Sequence, residues 1–523
     1  TKLTGTETSL HAPMIEPSGF TQQGWSEINR EAAERQFTEI IKRSQQLDPG
    51  GNIPVTIHAS AVPGTEFIPL KDEQTGEIKE VPQRLVAVNQ ETGEMTSLVR
   101  EKVYGPTEPE GIIHEAEDRL KMANDTDWVK KITNLAFYKK EADEVLGGSQ
   151  AGLQPFFDKL QKGEELTKEE IQYFQPALER LQRAGLFLDN VQMSFRNLYE
   201  EAAKFGGNEA KPILNEISKQ WQQLSDERRK GKLTDPEYIV KQSELLDNSL
   251  NKIRSIGGAY KDEKGRIFVI PAPQLYKPVE EFTQEKASTT LGNVAFESYK
   301  KFGDKSPIIS IENPPYGTAL GRAEDLKNLI EETRKKFVEK ARKEGMSASQ
   351  AEDASKKLIG ATWDTSHISM MRKQGFGKEK LIEEAKLIAP FVKHVHLNDN
   401  FGSTHTDLPP GMATVPFKEI LKEFEKAGVK GKKVFEGGAF FQHFQTSPHP
   451  YVLEALGSPL YGMHMAPYWN QIMATQGNYF AGYGQILPDQ HFATYGAGFS
   501  GMPLELGGQI PGKQSRFAGA PNQ

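Results

Sequence analysis

The sequence contains IISIEN at residues 308–313, IGATWDTSH at 359–367, HVHLND at 394–399 and KVFEGG at 433–438, and the fold prediction starts from these four stretches. Each is a short β-like run that ends in histidine or acidic residues. Helical patterns lie between these runs, for example over 319–345 and 378–389. The alternation of strand and helix predicts parallel βαβ units, either in an α/β barrel or in a doubly wound sheet.

The composition excludes several classes of protein. The 523 residues include no cysteine, so disulfides, thiolate catalysis and cysteine-ligated metals are impossible. The formal net charge is −7, whereas a protein held on nucleic acid by bulk charge would be basic, so any phosphate binding must be local. No apolar stretch approaches the roughly 20 residues of a membrane helix, which excludes a membrane-spanning segment. Without cysteine usage the compartment cannot be read, and a cytoplasmic location is the favoured expectation.

The pattern of strand-like and helix-like segments along the chain predicts a barrel interrupted by an insertion. We assign residues 1–64 to the first part of the barrel, 65–264 to the insertion and 265–460 to the second part. Within the insertion, the pattern at 85–99 predicts a β-hairpin, and an all-helical bundle follows it. Residues 461–523 are predicted to form a Gly-rich, aromatic C-terminal arm. We expect this arm to lie extended on the barrel or on a neighbouring subunit, which would make a homo-oligomer.

Ligand-type side chains recur where the β-like runs end. Because the C-terminal ends of parallel barrel strands meet at one face, these groups should converge there. A set of nitrogen and oxygen ligands with this many imidazoles favours zinc or manganese over magnesium. His394, two residues before one of them, is predicted to be a packed barrel histidine. The candidate metal ligands are His11, His58, Glu312, Asp364, His367, His396, His405, Asp407 and Glu436.

The motifs IENPPYG (311–317), DTSH (364–367), HLND (396–399) and EGG (436–438) resemble those of xylose-isomerase-like TIM barrels. Within that superfamily the sequence is most similar to the endonuclease IV group of apurinic/apyrimidinic endonucleases. The resemblance implies a TIM-type (β/α)8 barrel, here with a helical insertion and an unusual C-terminal arm.

Two histidines distinguish the endonuclease group from its one-metal relatives. Four of the ligands are shared with the single-metal sugar isomerases and epimerases of the superfamily. His11 in LHAP and His58 in IHAS resemble the additional zinc ligands of the endonucleases. The loop pair departs from the family pattern, because His405 precedes Asp407 where the family has Asp first. Either the two ligands exchange places, or one metal is lost or shifted.

The resemblance implies a divalent-metal-dependent hydrolase that cleaves phosphodiesters at abasic sites in DNA, with two or three zinc ions or manganese. Glu312 and Glu436 would be the catalytic, bridging carboxylates, and Glu312 would orient the nucleophilic water. One alternative is a single-metal isomerase or epimerase acting on a small sugar. A second is a non-catalytic barrel that serves as an assembly subunit.

The barrel also departs from the family at its start. The family's first two strands normally precede the one that carries SLHAP, yet only a few residues do so here. Residues 460–467 are a candidate to fill this gap. The long segment between His58 and Glu312 should leave the barrel on its catalytic face.

Overall fold

The computed structural model describes residues 8–71, 76–161, 167–261, 267–437, 440, 447–449 and 452–453. The candidate gap-filling segment 460–467 and the predicted arm 461–523 lie outside these residues. In chain order the strands are β1 (Leu10–His11), β2 (Phe20–Thr21), β3 (Gly24–Trp25), β4 (Pro54–His58), β5 (Glu66–Lys71), β6 (Ile78–Asn89), β7 (Met95–Val99), β8 (Glu101–Val103), β9 (Ile112–His114), β10 (Gly258–Lys261), β11 (Ile267–Ile270), β12 (Tyr276–Pro278), β13 (Ile308–Glu312), β14 (Ile359–Asp364), β15 (Val392–His396) and β16 (Lys432–Val434).

The α-helices alternate with the later strands, as the sequence predicts. In the described residues, no helix combines the length and apolar character that a bilayer crossing requires. The helices are α1 (Glu27–Leu47), α2 (Ala116–Gln161), α3 (Lys168–Phe205), α4 (Lys211–Arg229), α5 (Asp235–Ile253), α6 (Val279–Phe302), α7 (Ala323–Lys343), α8 (Ala348–Leu358), α9 (Thr365–Ser369), α10 (Lys378–Ile388) and α11 (Phe417–Lys426).

The chain divides into two compact units. One, called the barrel unit below, comprises the described parts of Thr1–Ala116 and Pro278–Gln523; the other, the helical unit, is Glu117–Lys277. The predicted insertion had comprised residues 65–264, so the unit boundaries observed differ at both ends.

The barrel unit is built on a six-stranded parallel sheet in the order β1-β4-β13-β14-β15-β16. The sheet is curled. His11 on β1 and His396 on β15 are four strands apart, which would be roughly 19 Å in a flat sheet, yet their ring centroids are 5.8 Å apart. At the other end of the order, Lys432 Nζ on β16 donates to the Thr8 carbonyl, just before β1, at 2.8 Å. The curled parallel sheet with its helices confirms the TIM-type fold class, with six of the strands in the described residues.

The outer face of this sheet is apolar and packs against amphipathic helices. Val55, Ile57, Ile309 and Ile311 are all buried. Helix α7 turns a stripe of apolar residues towards the sheet and α6, as expected from a helical period. The inner face is polar below the strand ends, where the Thr362 hydroxyl lies 3.0 Å from that of Thr56.

An antiparallel sheet follows β4 and contains the predicted hairpin. Strands β6 and β7 pair with Leu85 opposite Leu98 and Val88 opposite Met95. Strand β5 pairs with the other edge of β6. Strands β5, β6 and β7 belong to the barrel unit, because their residues precede Glu117.

The helical unit contains α3, α4, α5 and nearly all of α2. Thr167 and Glu170 form the predicted capping box at the start of α3. The helices share a core in which Trp128, Ile217 and Leu246 are buried. The unit also contains the antiparallel hairpin β10–β11, an element that the all-helical prediction lacked.

Candidate metal centre

All nine predicted ligands lie at the C-terminal ends of the parallel strands or directly after them. Parallel pairing aligns the strand ends, so Glu312 is in register with His58 and Asp364 with His396. His11 ends β1, and the remaining ligands lie in the segments that follow β14, β15 and β16. The distances below show how closely they meet.

Glu312 lies at the centre of the cluster and is fully buried. Its Oε2 atom is 3.1 Å from His11 Nε2 and 3.3 Å from His58 Nε2. Its Oε1 atom is 2.7 Å from His396 Nδ1. The two oxygens of one carboxylate therefore face two different sets of imidazoles, which is the arrangement of a bridging ligand.

Two overlapping groups of ligand atoms meet at this carboxylate, and a further group joins His11 to His396 and Glu436. In each group the ligand atoms lie within 4.8 Å of one another. The first group is His11, His58 and Glu312. The second is Glu312, Asp364, His396 and Glu436, in which His396 Nδ1 is 3.8 Å from Asp364 Oδ2 and 3.5 Å from Glu436 Oε2.

A third set lies beside the first group. His367 Nε2 is 2.9 Å from His405 Nε2, which in turn is 3.4 Å from Asp407 Oδ1. The reversed order of the loop pair therefore still brings both side chains into the cluster. This set is looser than the other two, since it is absent from the groups of described residues whose ligand atoms all lie within 4.8 Å of one another.

The electrostatics reflect the packing of carboxylates among imidazoles. Burial would raise the pKa of Glu312, but contacts with His11 and His396 outweigh it and hold that pKa well below its usual value. Burial lowers the pKa of His58 to about 4, and neighbouring imidazoles add to this effect. Burial also opposes protonation of His396, yet the adjoining Glu312, Asp364 and Glu436 raise its pKa to about 9.

The residues present fit a divalent metal. Glu312 Oε1, His396 Nδ1 and Asp407 Oδ1 are buried and have no aligned hydrogen-bond partner among the described residues. Buried polar atoms of this kind are costly unless another partner satisfies them. Nitrogen and oxygen atoms converging without thiolates are ligands that zinc or manganese accepts.

Two asparagines complete the centre, and the sequence analysis missed both. Asn398 Nδ2 donates to Asp364 Oδ2 at 2.8 Å and to Glu436 Oε2 at 3.0 Å. The side-chain oxygen of Asn313 accepts a hydrogen bond from the backbone N–H of Asp364, and the backbone carbonyl oxygen of Asn313 lies 2.7 Å from His367 Nδ1. Both asparagines lie next to or near a ligand in the sequence, Asn313 in IEN and Asn398 in HLND. This position could have indicated their role, because residues that hydrogen-bond to metal ligands orient them.

Asp399 orders the loop that carries His405 and Asp407. Its buried carboxylate accepts backbone N–H groups from Gly411, Ala413 and Val415. His394 is buried beneath the centre with its ring 5.2 Å from that of His396, in keeping with a packed histidine.

We expect zinc binding to strengthen steeply with pH. With a pKa of about 9, His396 is protonated near neutral pH, and an ion that takes its Nδ1 atom must displace this proton. Affinity should rise about tenfold per pH unit below that pKa for each proton displaced. His58, with a pKa of about 4, is already neutral. Titration calorimetry in two buffers of different ionisation enthalpy measures the protons released. A zinc affinity that does not change between about pH 6 and 8 would contradict the expectation.

Fold and site together define a TIM-type barrel that gathers histidines and carboxylates at one end of its strands. Residues 297–440 match the family model described as xylose isomerase-like TIM barrel. Among solved structures, a D-tagatose 3-epimerase-like protein matches with 18% identity and a TM-score of 0.23, over 34% of this chain and 59% of that chain. None of the curated proteins compared with the chain matches it.

Proposed function

We propose that the protein is a divalent-metal-dependent hydrolase that cleaves phosphodiester bonds, with abasic sites in DNA as the substrate, as in the endonuclease IV group. One observation carries the proposal. His11 and His58 both contact Oε2 of Glu312, whereas His396 contacts Oε1. A single-metal enzyme has no use for this additional ligand group.

Zinc or manganese ions, when bound, would neutralise phosphate charge, lower the pKa of water and stabilise a leaving alkoxide. The chain's own residues have separate tasks. Glu312, buried between the two ligand groups, bridges them and orients the attacking water. Glu436 has a side chain that is 33% exposed, so it faces the open end of the site. Burial raises the pKa of Glu436, with the charges of Glu312 and Asp364 adding to the effect, which suits a carboxylate that accepts a proton from water.

A second candidate is a single-metal isomerase or epimerase acting on a small sugar. The observation in its favour is that Glu312, Asp364, His396 and Glu436 form a complete four-ligand group by themselves. In that reaction the two glutamates would move a proton on the substrate. The non-catalytic assembly subunit remains the third possibility, and it requires no metal.

The His11→Ala variant separates the two enzymatic candidates. We expect wild-type protein to hold two or three zinc or manganese ions, and the variant to lose one of them with most of its cleavage of a duplex oligonucleotide carrying one abasic site. The physical reason is that the group of His11, His58 and Glu312 loses one of its three ligands, whereas Glu312, Asp364, His396 and Glu436 form a group without His11. Elemental analysis and a cleavage assay measure the two effects.

His114→Ala is the matched control, because this histidine lies on β9 and is absent from the groups of described residues that could hold a metal. One ion per wild-type chain, with ketose isomerisation that survives His11→Ala, would favour the isomerase. No ion after metal supplementation would leave only the assembly subunit.

A further inference from the structure

The strand that carries His11 is short and pairs with its neighbour through few residues. Strand β1 is two residues long, and its register with β4 consists of Leu10 opposite Val55 and His11 opposite Thr56. The side chain of His11 is 35% exposed. Both ring nitrogens of His11 have partners, the Ala12 carbonyl and Glu312, but strand pairing fixes only two residues of the segment. A ligand group that combines His11 with His58 therefore gains from a further contact between their two segments.

Glu16 provides contacts to both segments. In the loop after β1, its Oε1 atom accepts from Ser18 N at 3.1 Å and from Ser18 Oγ at 2.5 Å. In the loop after β4, its Oε2 atom accepts from Ser60 Oγ at 3.1 Å and from Ala61 N at 2.5 Å. Both serines are buried. One carboxylate therefore joins the loop that follows His11 to the loop that follows His58.

We infer that Glu16 is a positioning residue for the ion held by His11 and His58. The inference rests on the proposed function, because it presumes that this ion is bound. Glu16 lies five residues after His11, and Ser60 lies two residues after His58. A change in the distance between these loops changes the separation of the imidazoles, whose ring centroids are now 5.2 Å apart.

The chemistry of the contacts calls for a carboxylate. All four groups that meet Glu16 are donors, and the two oxygens of a carboxylate accept from all of them. Glutamine at this position would keep one acceptor oxygen but turn its NH2 group towards donors of one loop. Alanine would remove every contact. The Glu16→Gln variant should therefore loosen one loop, and Glu16→Ala both.

The test counts zinc ions and measures their affinities in Glu16→Ala, by elemental analysis and by titration against a chelator. We expect one ion to bind about 10-fold more weakly, the lower end of the range for loss of a direct partner of a metal ligand, because Glu16 acts on the two histidines through their loops. The ion at Asp364, His396 and Glu436 should be retained with unchanged affinity. Glu31→Ala is the matched control, since Glu31 makes an exposed pair with Arg35 on α1.

A double variant distinguishes positioning from general loss of structure. In a His11→Ala background the same ion is already lost, so adding Glu16→Ala should change zinc binding no further. Additional loss of the ion at Asp364 and His396 would overturn the inference. If Glu16→Ala does not fold, Ser60→Ala removes one of the four contacts of Glu16, together with the hydrogen bond from Val62 N to the Ser60 hydroxyl, and should weaken the same ion by a smaller factor.

The outcome for the wild type keeps the two proposals apart. If wild-type protein binds two or three ions and Glu16→Ala binds them equally well, the role of Glu16 is wrong while the proposed function stands. If wild-type protein binds at most one ion, the proposed function itself is overturned.

Discussion

Glu312→Gln is expected to lower hydrolytic activity by about 10²- to 10⁴-fold, the range for loss of a positioned catalytic carboxylate. The substitution keeps the size of the side chain but removes its charge and one acceptor oxygen. Because the two oxygens face His11 and His58 on one side and His396 on the other, both ligand groups lose their shared member. Elemental analysis should show at least one zinc ion lost, and steady-state kinetics on the abasic-site duplex should show the fall in rate.

Glu324→Gln is the control for that experiment, because it changes an exposed glutamate in the first turn of α7. Circular dichroism establishes that both variants fold. A Glu312→Gln protein with full zinc content and full activity would show that this carboxylate is a structural residue of the barrel.

Phe337→Ala should lower the free energy of unfolding of the barrel unit by about 3–5 kcal/mol, the usual cost of removing a fully buried aromatic ring. Phe337 lies on α7 and is fully buried. Its ring makes edge contacts with Phe296 at 5.9 Å and with Tyr299 at 5.8 Å, both on α6. Deleting the ring leaves a cavity between the two helices, and urea denaturation measures the loss.

Two further variants serve as references for the stability that Phe337→Ala loses. Phe337→Leu refills most of the volume, so its destabilisation should be clearly smaller. Leu387→Ala truncates a residue that is 39% exposed and should change the stability by less than about 0.5 kcal/mol. Equal midpoints for Phe337→Ala and wild type would mean that α6 and α7 are not packed through this ring.

Much of the barrel could be predicted because its signals are local. The run at 308–313 and the helix after it are recognised from hydrophobic period alone, and the structure has β13 and α7 there. The hairpin β6–β7 was likewise visible as two apolar runs around a turn. The hairpin β10–β11 was missed, as were the limits of the two compact units. Unit boundaries depend on which surfaces pack together, and a periodic pattern does not report that.

The candidate site could likewise be predicted only in part from the sequence. The ligand types and their places at strand ends were in the sequence, because parallel strands bring their ends to one face whatever the loops between them. The distances that place His11, His58 and His396 around Glu312, and the contacts made by Asn398 and Glu16, were not. Each depends on side chains brought within hydrogen-bond distance from different strands or loops, for example Glu436 and Asn398 at 3.0 Å.

The chemistry available to this protein follows from its amino-acid composition and from the order of its residues. Without cysteine, a cluster of histidines and carboxylates can bind metals only through nitrogen and oxygen, and their order along alternating strands and helices placed them at one end of a barrel. Which imidazoles contact which oxygen of Glu312 depends on the tertiary structure. The curl of the sheet brings β1 opposite β15, and this sets His11 beside Glu312 although 301 positions separate them in the chain. Distances of a few ångströms between such residues follow from the packing of the whole sheet, which no local pattern encodes.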